Sequence, residues 1–538
     1  MNFAREVLCS QPPRRRALVE LGRDGSRREW SFGELQRLVE TAAGTLTAHG
    51  AGRGEVVMTL IGNRVEWVAT MMACFRIGAV ALPCTEQLRA KDLRLRLGVA
   101  RPSLIVADAR NRAELETAGL DCPVVWIPDE ALFAHPPVEA HPPFATGPPV
   151  ETHPPFDTHP PFDTAPVDTR PPTGEGGPLA AAVLSENDPA LITFTSGTAG
   201  EPKAVVHAQR YLHGQRLQAR DWLGAQADQL VWCTASSGWS KSARNVFIAP
   251  WLSGAAALLH DARFDPHERL DLIERERVDV LCMAPTEYRV IAKRARLRPL
   301  PSLRGMVAAG EALNPEVLHA WRAATGLDVR DGYGQTETGQ MTAMPIGESA
   351  RPGSMGRALD GIRLTIEDGE LVADPRTVPT FFLGYLGEGV ERDPDGAWRI
   401  EDRRERGPWH TGDRVAKDTD GYLRFEGRAD DVIVSAGYRI GPFEVESALV
   451  AHPAVAEAAA VAAPDEERGA VVRAVVVLRD GHHPSEQLAR ELQEHVKRET
   501  APYKYPRVVE FVAELPKTAS GKIRRAELRD APDPTAGA

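Results

Sequence analysis

The sequence predicts an α/β protein: a large N-terminal domain of layered sheets and helices, built from two αβ subdomains and a β-rich one, then a small α+β C-terminal domain. Three observations carry this. Short apolar, strand-like runs alternate with helical patterns over the first 130 residues and again past Gly177, a pattern of parallel sheets covered by helices. Residues 360–425 turn β-rich, with many Gly and Asp turns, and the last 110 residues carry strand and helix signals of their own. The length of 538 residues allows three or four such units at roughly 150 residues each, and an apolar content of 43% excludes an intrinsically disordered chain.

In order, residues 56–60, 79–82 and 104–107 read as strands and 64–76 as a helix. Past Gly177, residues 191–194, 230–233, 255–259, 278–283 and 306–309 read as strands, each bounded by helical or loop segments. The C-terminal unit has strands at 431–434, 471–478 and 508–512 and helices from Pro442 and over 484–498; the tail from Asp530 is polar. The expected boundaries are 1–427, 428–530 and a tail at 531–538, with a proline-rich insert at 135–176.

Acidic residues exceed Lys+Arg by 75 to 64, so no broad basic surface serves nucleic acid, although a local basic pocket remains open. Cys9, Cys74, Cys84, Cys122, Cys233 and Cys282 are scattered singly, against a disulfide framework or a paired-cysteine zinc site. The N-terminus reaches Arg14-Arg15-Arg16 without an apolar stretch of the secretory kind. The most hydrophobic segment, 65–84, is broken by Glu66 and Arg76 and reads as helix then strand rather than a membrane span. A cytoplasmic protein is the expectation.

From His135 to Thr164 run five hexapeptides, HPPVEA, HPPFAT, GPPVET, HPPFDT and HPPFDT, holding ten of the 43 prolines. In polyproline II they align His135, His141, His153 and His159 at about 19 Å per repeat, at ~3.1 Å per residue, too far to share one metal without folding back. A stiff exposed loop accounts for them; a partner-binding strip is the alternative.

Five short motifs carry chemistry. Thr195-Ser196-Gly197-Thr198-Ala199-Gly200-Glu201-Pro202-Lys203 follows a buried strand and precedes a helix expected near His207. Glycines admit phosphates to the backbone, hydroxyls donate and the lysine supplies charge, although a plain Gly/Ser turn has the same composition; it is no Walker A loop. Asp331-Gly332-Tyr333-Gly334-Gln335-Thr336-Glu337 offers an aromatic for a base and a carboxylate for Mg²⁺, although a lone Glu after a loop is usually solvated. Trp409 to Asp413 offers a carboxylate for ribose hydroxyls. Gly427-Arg428-Ala429-Asp430-Asp431 precedes Ala436-Gly437-Tyr438-Arg439-Ile440, and Lys517 to Ile523 includes Lys522, which alone would be a surface lysine.

In this order the five motifs resemble the adenylate-forming superfamily of acyl-CoA synthetases, luciferases and peptide-synthetase adenylation domains, from about residue 30 to 528. The segments from Gly238 to Pro266, Ala284 to Arg289 and the AGYRIGPFEVESALV stretch are most similar to the medium-chain acyl-CoA synthetase branch. The resemblance implies an acid–thiol ligase. A carboxylate attacks the α-phosphate of ATP, releasing pyrophosphate, and the thiol of coenzyme A then displaces AMP. The co-substrates would be ATP and coenzyme A, with Mg²⁺ as cofactor. It implies a loop from Thr195 to Lys203 around the β- and γ-phosphates, and an adenine and α-phosphate site from Gly310, Glu311, Ala312 and Asp331 to Thr336. It further implies Mg²⁺ at Glu337, ribose at Asp413 and Arg428, and catalysis by Lys522, Thr198, Glu337 and Lys203. Asp430 would be the hinge of a mobile C-terminal domain whose rotation withdraws Lys522 and brings Ala436, Gly437 and Tyr438 to the pantetheine arm. Arg439 would meet the nucleotide, and Arg468 and Lys497 the CoA phosphates.

Ala199 departs from the Thr or Ser usual in the loop. Acetate-specific relatives place Trp at the position of Gly334, and amino-acid-activating domains place Asp near Gly238 and Trp239, the acyl-pocket positions. The expected substrate is therefore a free medium-chain, branched or aromatic carboxylic acid, the chain ending too soon after Lys522 for a fused carrier domain. Loading of a separate carrier protein is the alternative. The expected partners are small molecules, in a monomer or homodimer with no membrane span.

Overall fold

The computed structural model describes residues 1–128, 180–195, 202–310, 313, 315–393, 395–428, 431–435, 438–465, 468–517 and 522–530. The hexapeptide repeats lie outside them. So do Ser196, Gly197, Thr198, Ala199, Gly200, Glu201, Glu311, Ala312, Asp430, Ala436 and Gly437.

Two large sheets organise the N-terminal part. In the larger, strands Arg16–Leu21, Ala256–His260, Leu230–Cys233, Val280–Met283, Gly305–Ala309 and Val329–Gln335 lie side by side and parallel. Their near-continuous apolar runs suit strands covered on both faces. At Val329–Gln335 the sheet changes character: Gly339–Ala343 turns back antiparallel, and Ser354–Ala358, Leu423–Arg428 and Trp409–Lys417 follow. Of the β-rich segment expected as a separate subdomain, Leu364–Glu367, Glu370–Ala373, Trp409–Lys417 and Leu423–Arg428 thus continue the edge of this sheet, while Gly384–Leu386, Gly389–Arg392 and Trp398–Ile400 extend the second one beside Ala204–Ala208.

The second sheet carries Val56–Leu60, Val80–Cys84, Leu104–Asp108 and Val124–Ile127 in parallel, with Pro189–Phe194 beside Val80–Cys84. Helix Val65–Ile77 is buried through residue 76 and ends at Gly78 in the left-handed region, φ 77°. Thirteen residues at about 1.5 Å each fall well short of a bilayer core. Glu66 and Arg76 enter this setting because Arg64 and Glu40 pair with them. No helix among the described residues is long and apolar enough to cross a membrane. Helix Phe32–Ala48 starts on a capping box in which Ser31 Oγ accepts from Glu34 N and the Glu34 carboxylate accepts from Ser31 N.

One expected helix start moves. Residues Ala204–Ala208 form a strand antiparallel to Pro189–Phe194, and the helix begins at Gln209. Val205 and Val206 favour the strand and are fully buried in it. The candidate phosphate loop therefore closes a β-hairpin instead of opening a helix.

The C-terminal part packs a sheet of Val455–Asp465, Gly469–Leu478 and Val508–Phe511 against helices Pro442–Ala451 and Glu486–Glu499. Its core, with Leu449, Val476 and Leu492 at its centre, is distinct from those between the large sheets. The long strand Val455–Asp465 is mostly alanine, a poor strand former, and went unread in the sequence. Leu449→Ala is expected to cost about 2–5 kcal/mol, read as a lowered midpoint in urea unfolding.

Candidate active site

The C-terminal ends of the parallel strands, where open α/β sheets bind ligands, frame a cavity of about 2020 Å³. Its walls include Thr195, Lys203, Gly310, Asp331 to Glu337, Tyr385, Asp413 and Arg428, and the C-terminal part adds Lys517, Lys522 and Arg525.

The phosphate-loop hairpin is clamped at its base. Thr195 N donates to Lys203 O at 2.9 Å, and Lys203 N donates to Thr195 Oγ1 at 2.9 Å. The Lys203 ammonium reaches the Glu388 carboxylate at 3.5 Å and lies 4.6 Å from the Tyr385 ring centroid. It is a tethered but solvated cation at the cavity mouth.

Asp331 to Gln335 sit on the strand itself, not in a loop after it. The close return of the hairpin demands glycine twice: a Cβ on Gly332 would lie 2.2 Å from Gln340 Nε2, and one on Gly334 would lie 1.8 Å from Gly339 O. Gly334 is thus required by the hairpin as it is packed, and it lies in the cavity wall. The Asp331 carboxyl accepts from Gly332 N at 2.8 Å. Open to the cleft but enclosed by protein elsewhere, it is pushed by burial up to about 8, although Lys241 nearby opposes this.

Asp413 gathers the most partners. The Tyr333 hydroxyl and Gln335 Nε2 (2.9 Å) donate to its Oδ2, and Arg428 Nη1 stands 3.6 Å from Oδ1 across the strand pair. Burial raises its pKa, while Tyr333, Arg428, Gln335 and the charge of Lys522 hold it down. Lys522 is therefore close enough to Asp413 to act on its ionisation. The Gln335 amide is fixed from both ends, donating to Thr411 O at 2.7 Å and accepting from Trp409 Nε1 at 2.9 Å.

Glu337 accepts from the Tyr385 hydroxyl at 2.8 Å, which orients its carboxylate in the cavity wall. No cluster of three or more His, Cys, Asp or Glu suited to a metal occurs among the described residues. Mg²⁺ commonly takes one or two carboxylates and completes its shell with substrate phosphates, so a single oriented Glu337 beside Lys203 fits a metal that arrives with a nucleotide. Gly310 adopts φ 105°, and a Cβ there would collide with Lys241 Nζ at 1.8 Å; Lys241 in turn donates to Ala309 O.

Other positions lie apart from the cavity wall. Trp239 is half-buried in a turn where a Cβ on Gly238 would meet Thr85 N at 2.1 Å, and its neighbours Ser240 and Lys241 line the cavity instead. Tyr438, 54% exposed, stacks on Tyr503 at 4.5 Å. Lys497 pairs with Glu494 at 2.5 Å and covers the Tyr505 ring. Arg468 is exposed, and Arg439 is described only through its backbone in strand Tyr438–Ile440. Sequence reasoning missed Tyr385 and gave Trp409, the first residue of its motif, no role; their contacts span 48 and 74 residues. It also missed Lys241, for which the only signal was a cation in the otherwise uncharged run from Thr234 to Ala243.

A hairpin closed by Thr195 and Lys203, an oriented Glu337, a buried Asp413 and a lysine from a second unit together suit a nucleotide-dependent, adenylate-forming ligase. The chain belongs to the AMP-binding enzyme family, which it matches over residues 6–384, with the AMP-binding enzyme C-terminal domain over 444–522. It is an ATP-dependent, AMP-forming ligase of the acyl-CoA synthetase type, with coenzyme A as co-substrate. It is 37% identical to human mitochondrial acyl-coenzyme A synthetase ACSM4, over 98% of this chain and 90% of that one. The crystal structure of Brucella canis acyl-CoA synthetase superposes with TM-score 0.67 at 31% identity, covering 98% and 94%. That of the anthranilate CoA ligase AuaEII with anthranoyl-AMP does so with TM-score 0.78 at 26% identity, covering 98% and 96%.

The Asp331 carboxyl has a testable consequence. Folded, it keeps its proton to about pH 8; unfolded, it releases it near pH 4. Between these values the folded state binds more protons, so its stability falls as pH rises from about 4 to about 8 and then levels off. Asp331→Asn removes that fall. The variant's gain in Tm over the wild type is expected to grow across this window and to stay constant above it.

Proposed function

We propose that the cavity activates a free medium-chain, branched or aromatic carboxylic acid as its acyl-adenylate and transfers the acyl group to coenzyme A, giving acyl-CoA, AMP and pyrophosphate. The observation that carries this reading is the convergence of Asp413, with its Tyr333, Gln335 and Arg428 partners, and Lys522 on one cavity. The kinship with ACSM4 and with an anthranilate CoA ligase supports a non-acetate acid.

The chemistry sets the demand. An anionic carboxylate must approach a triphosphate, and each like-charge pair at 4 Å costs about 4 kcal/mol at an effective dielectric of ~20. Lys203 and Thr195, with the loop they clamp, would hold the β- and γ-phosphates, Tyr333 would face the base and Asp413 would accept both ribose hydroxyls. Mg²⁺ held at Glu337 would supply charge neutralisation at the phosphates. Lys522 would bridge the attacking carboxylate and the α-phosphate, stabilising charge as it shifts to the departing pyrophosphate. The thiol of coenzyme A then attacks the acyl carbonyl, the thiol proton goes to solvent and AMP leaves. Tyr438 and the cations Arg439, Arg468 and Lys497 are assigned to this second step, with the domain boundary at 427/428 and Asp430 as the hinge.

ATP–pyrophosphate exchange over a panel of carboxylic acids tests the first step, and AMP release with coenzyme A against a holo carrier protein tests the acceptor. Faster release with the carrier would reverse the acceptor assignment. Lys522→Ala is expected to lower exchange by at least 100-fold while thioester formation from supplied acyl-adenylate persists. Exchange at the wild-type rate would remove Lys522 from the catalytic set.

A further inference from the structure

We propose that the acyl substrate carries a second anionic oxygen group, a second carboxylate in the first instance, held by the guanidinium of Arg244. This deepens the acyl-CoA ligase reading above and rests on it.

Arg244 opens the helical turn Arg244–Ile248, lines the cavity and is only 3% exposed. Its Nε and Nη1 have no hydrogen-bond partner, and no carboxylate pairs with it among the described residues. Its close neighbours do not compensate. The Tyr211 phenol hydrogen-bonds it, and His207 is pushed down to about 3 by burial and by Arg244 itself, so it is neutral at pH 7. A buried charge without a counter-charge is costly, and the fold avoids it elsewhere: Arg64 has Glu66 and Asp108, Arg269 has Glu287, and Arg473 has Glu510. Arg330 also lacks a carboxylate, but it does not line the cavity. Arg244 is thus a buried cation whose missing partner would come from the cavity.

A second unpartnered donor stands behind Gly332. Trp222 Nε1 is buried without a partner, 2.9 Å from where a Cβ on Gly332 would stand, and Gly332 is part of the cavity wall. Side chains alternate along a strand, so this face of Val329–Gln335 is opposite to the one that sends Tyr333 to Asp413. The nucleotide phosphates already have Lys203, Arg428 and Lys522 available. The unpartnered donors therefore suit the acyl tail, and a guanidinium favours a planar carboxylate.

The test is ATP–pyrophosphate exchange on matched pairs, hexanoate against hexanedioate, octanoate against octanedioate and benzoate against benzene-1,2-dicarboxylate. It compares the wild type with R244M and R244K, whose folding is checked by Tm. The expected result is a kcat/KM at least tenfold higher for one diacid than for its monoacid, erased in R244M and partly kept in R244K. Preference for every monoacid in the wild type would overturn the inference and leave the ligase reading standing. An equal loss on both members of each pair in R244M would also overturn it, because the guanidinium would then serve the reacting carboxylate or the nucleotide. Absence of exchange with any acid would overturn the ligase reading and the inference together.

Discussion

One buried carboxylate ties the site together. Asp413 is 4% exposed, and a charge in that position persists only if donors and cations surround it. Those groups come from three regions far apart in sequence: Tyr333 and Gln335 from the strand at the edge of the parallel run, Arg428 from the antiparallel partner of its own strand, and Lys522 from the C-terminal unit. The electrostatic need of one side chain thus couples the parallel sheet, its antiparallel extension and the second unit. Trp409 extends the network one step further, by fixing which end of the Gln335 amide faces Asp413.

The position of the site follows from the change in sheet character. Up to Val329–Gln335 the strands run parallel and point their C-terminal ends at the cavity; beyond it the chain returns antiparallel. That return requires Gly332 and Gly334 for close backbone approach. The motif is glycine-rich because it is a tight hairpin, and it carries Tyr333, Gln335 and Glu337 because the hairpin lies at the mouth of the sheet. The phosphate loop obeys similar logic. It joins two antiparallel strands, so no helix N-terminus follows it directly.

Much of this was legible in the sequence. The buried parallel strands announced themselves as β-branched, apolar runs, and Leu230–Cys233 lies where it was read. The residues that converge on the cavity stood together in short motifs, so Tyr333, Gln335, Glu337, Asp413 and Lys522 could be named before any fold. What escaped were features without a local signal. Tyr385 and Trp409 act on residues 48 and 74 positions away, and aromatic side chains in a β-rich segment read as ordinary core. Strand Ala204–Ala208 was masked by a loop-then-helix template, and Val455–Asp465 by its alanines. The close approach of Gly339 O to Gly334 is a three-dimensional fact with no local signal in the sequence.

The same contacts bear on how the C-terminal unit could turn. Arg428 belongs to strand Leu423–Arg428, in register with Asp413, and so travels with the large sheet. Asp431, three residues on, is bound by Arg529 at 2.6 Å and lies 3.9 Å from Arg525, whose guanidinium also grips the buried Glu446. The Asp431 side chain is thus held by the C-terminal core, while its backbone N–H donates to Arg428 O at 3.1 Å. The proposed pivot at Asp430 falls in sequence between two side chains held by different units. This supports Asp430 as the proposed pivot on grounds separate from resemblance. Under the proposed two-step use of that unit, Lys522, which lines the cavity, would serve the first step, and Tyr438 and Lys497, which do not, would serve the second after the unit has turned.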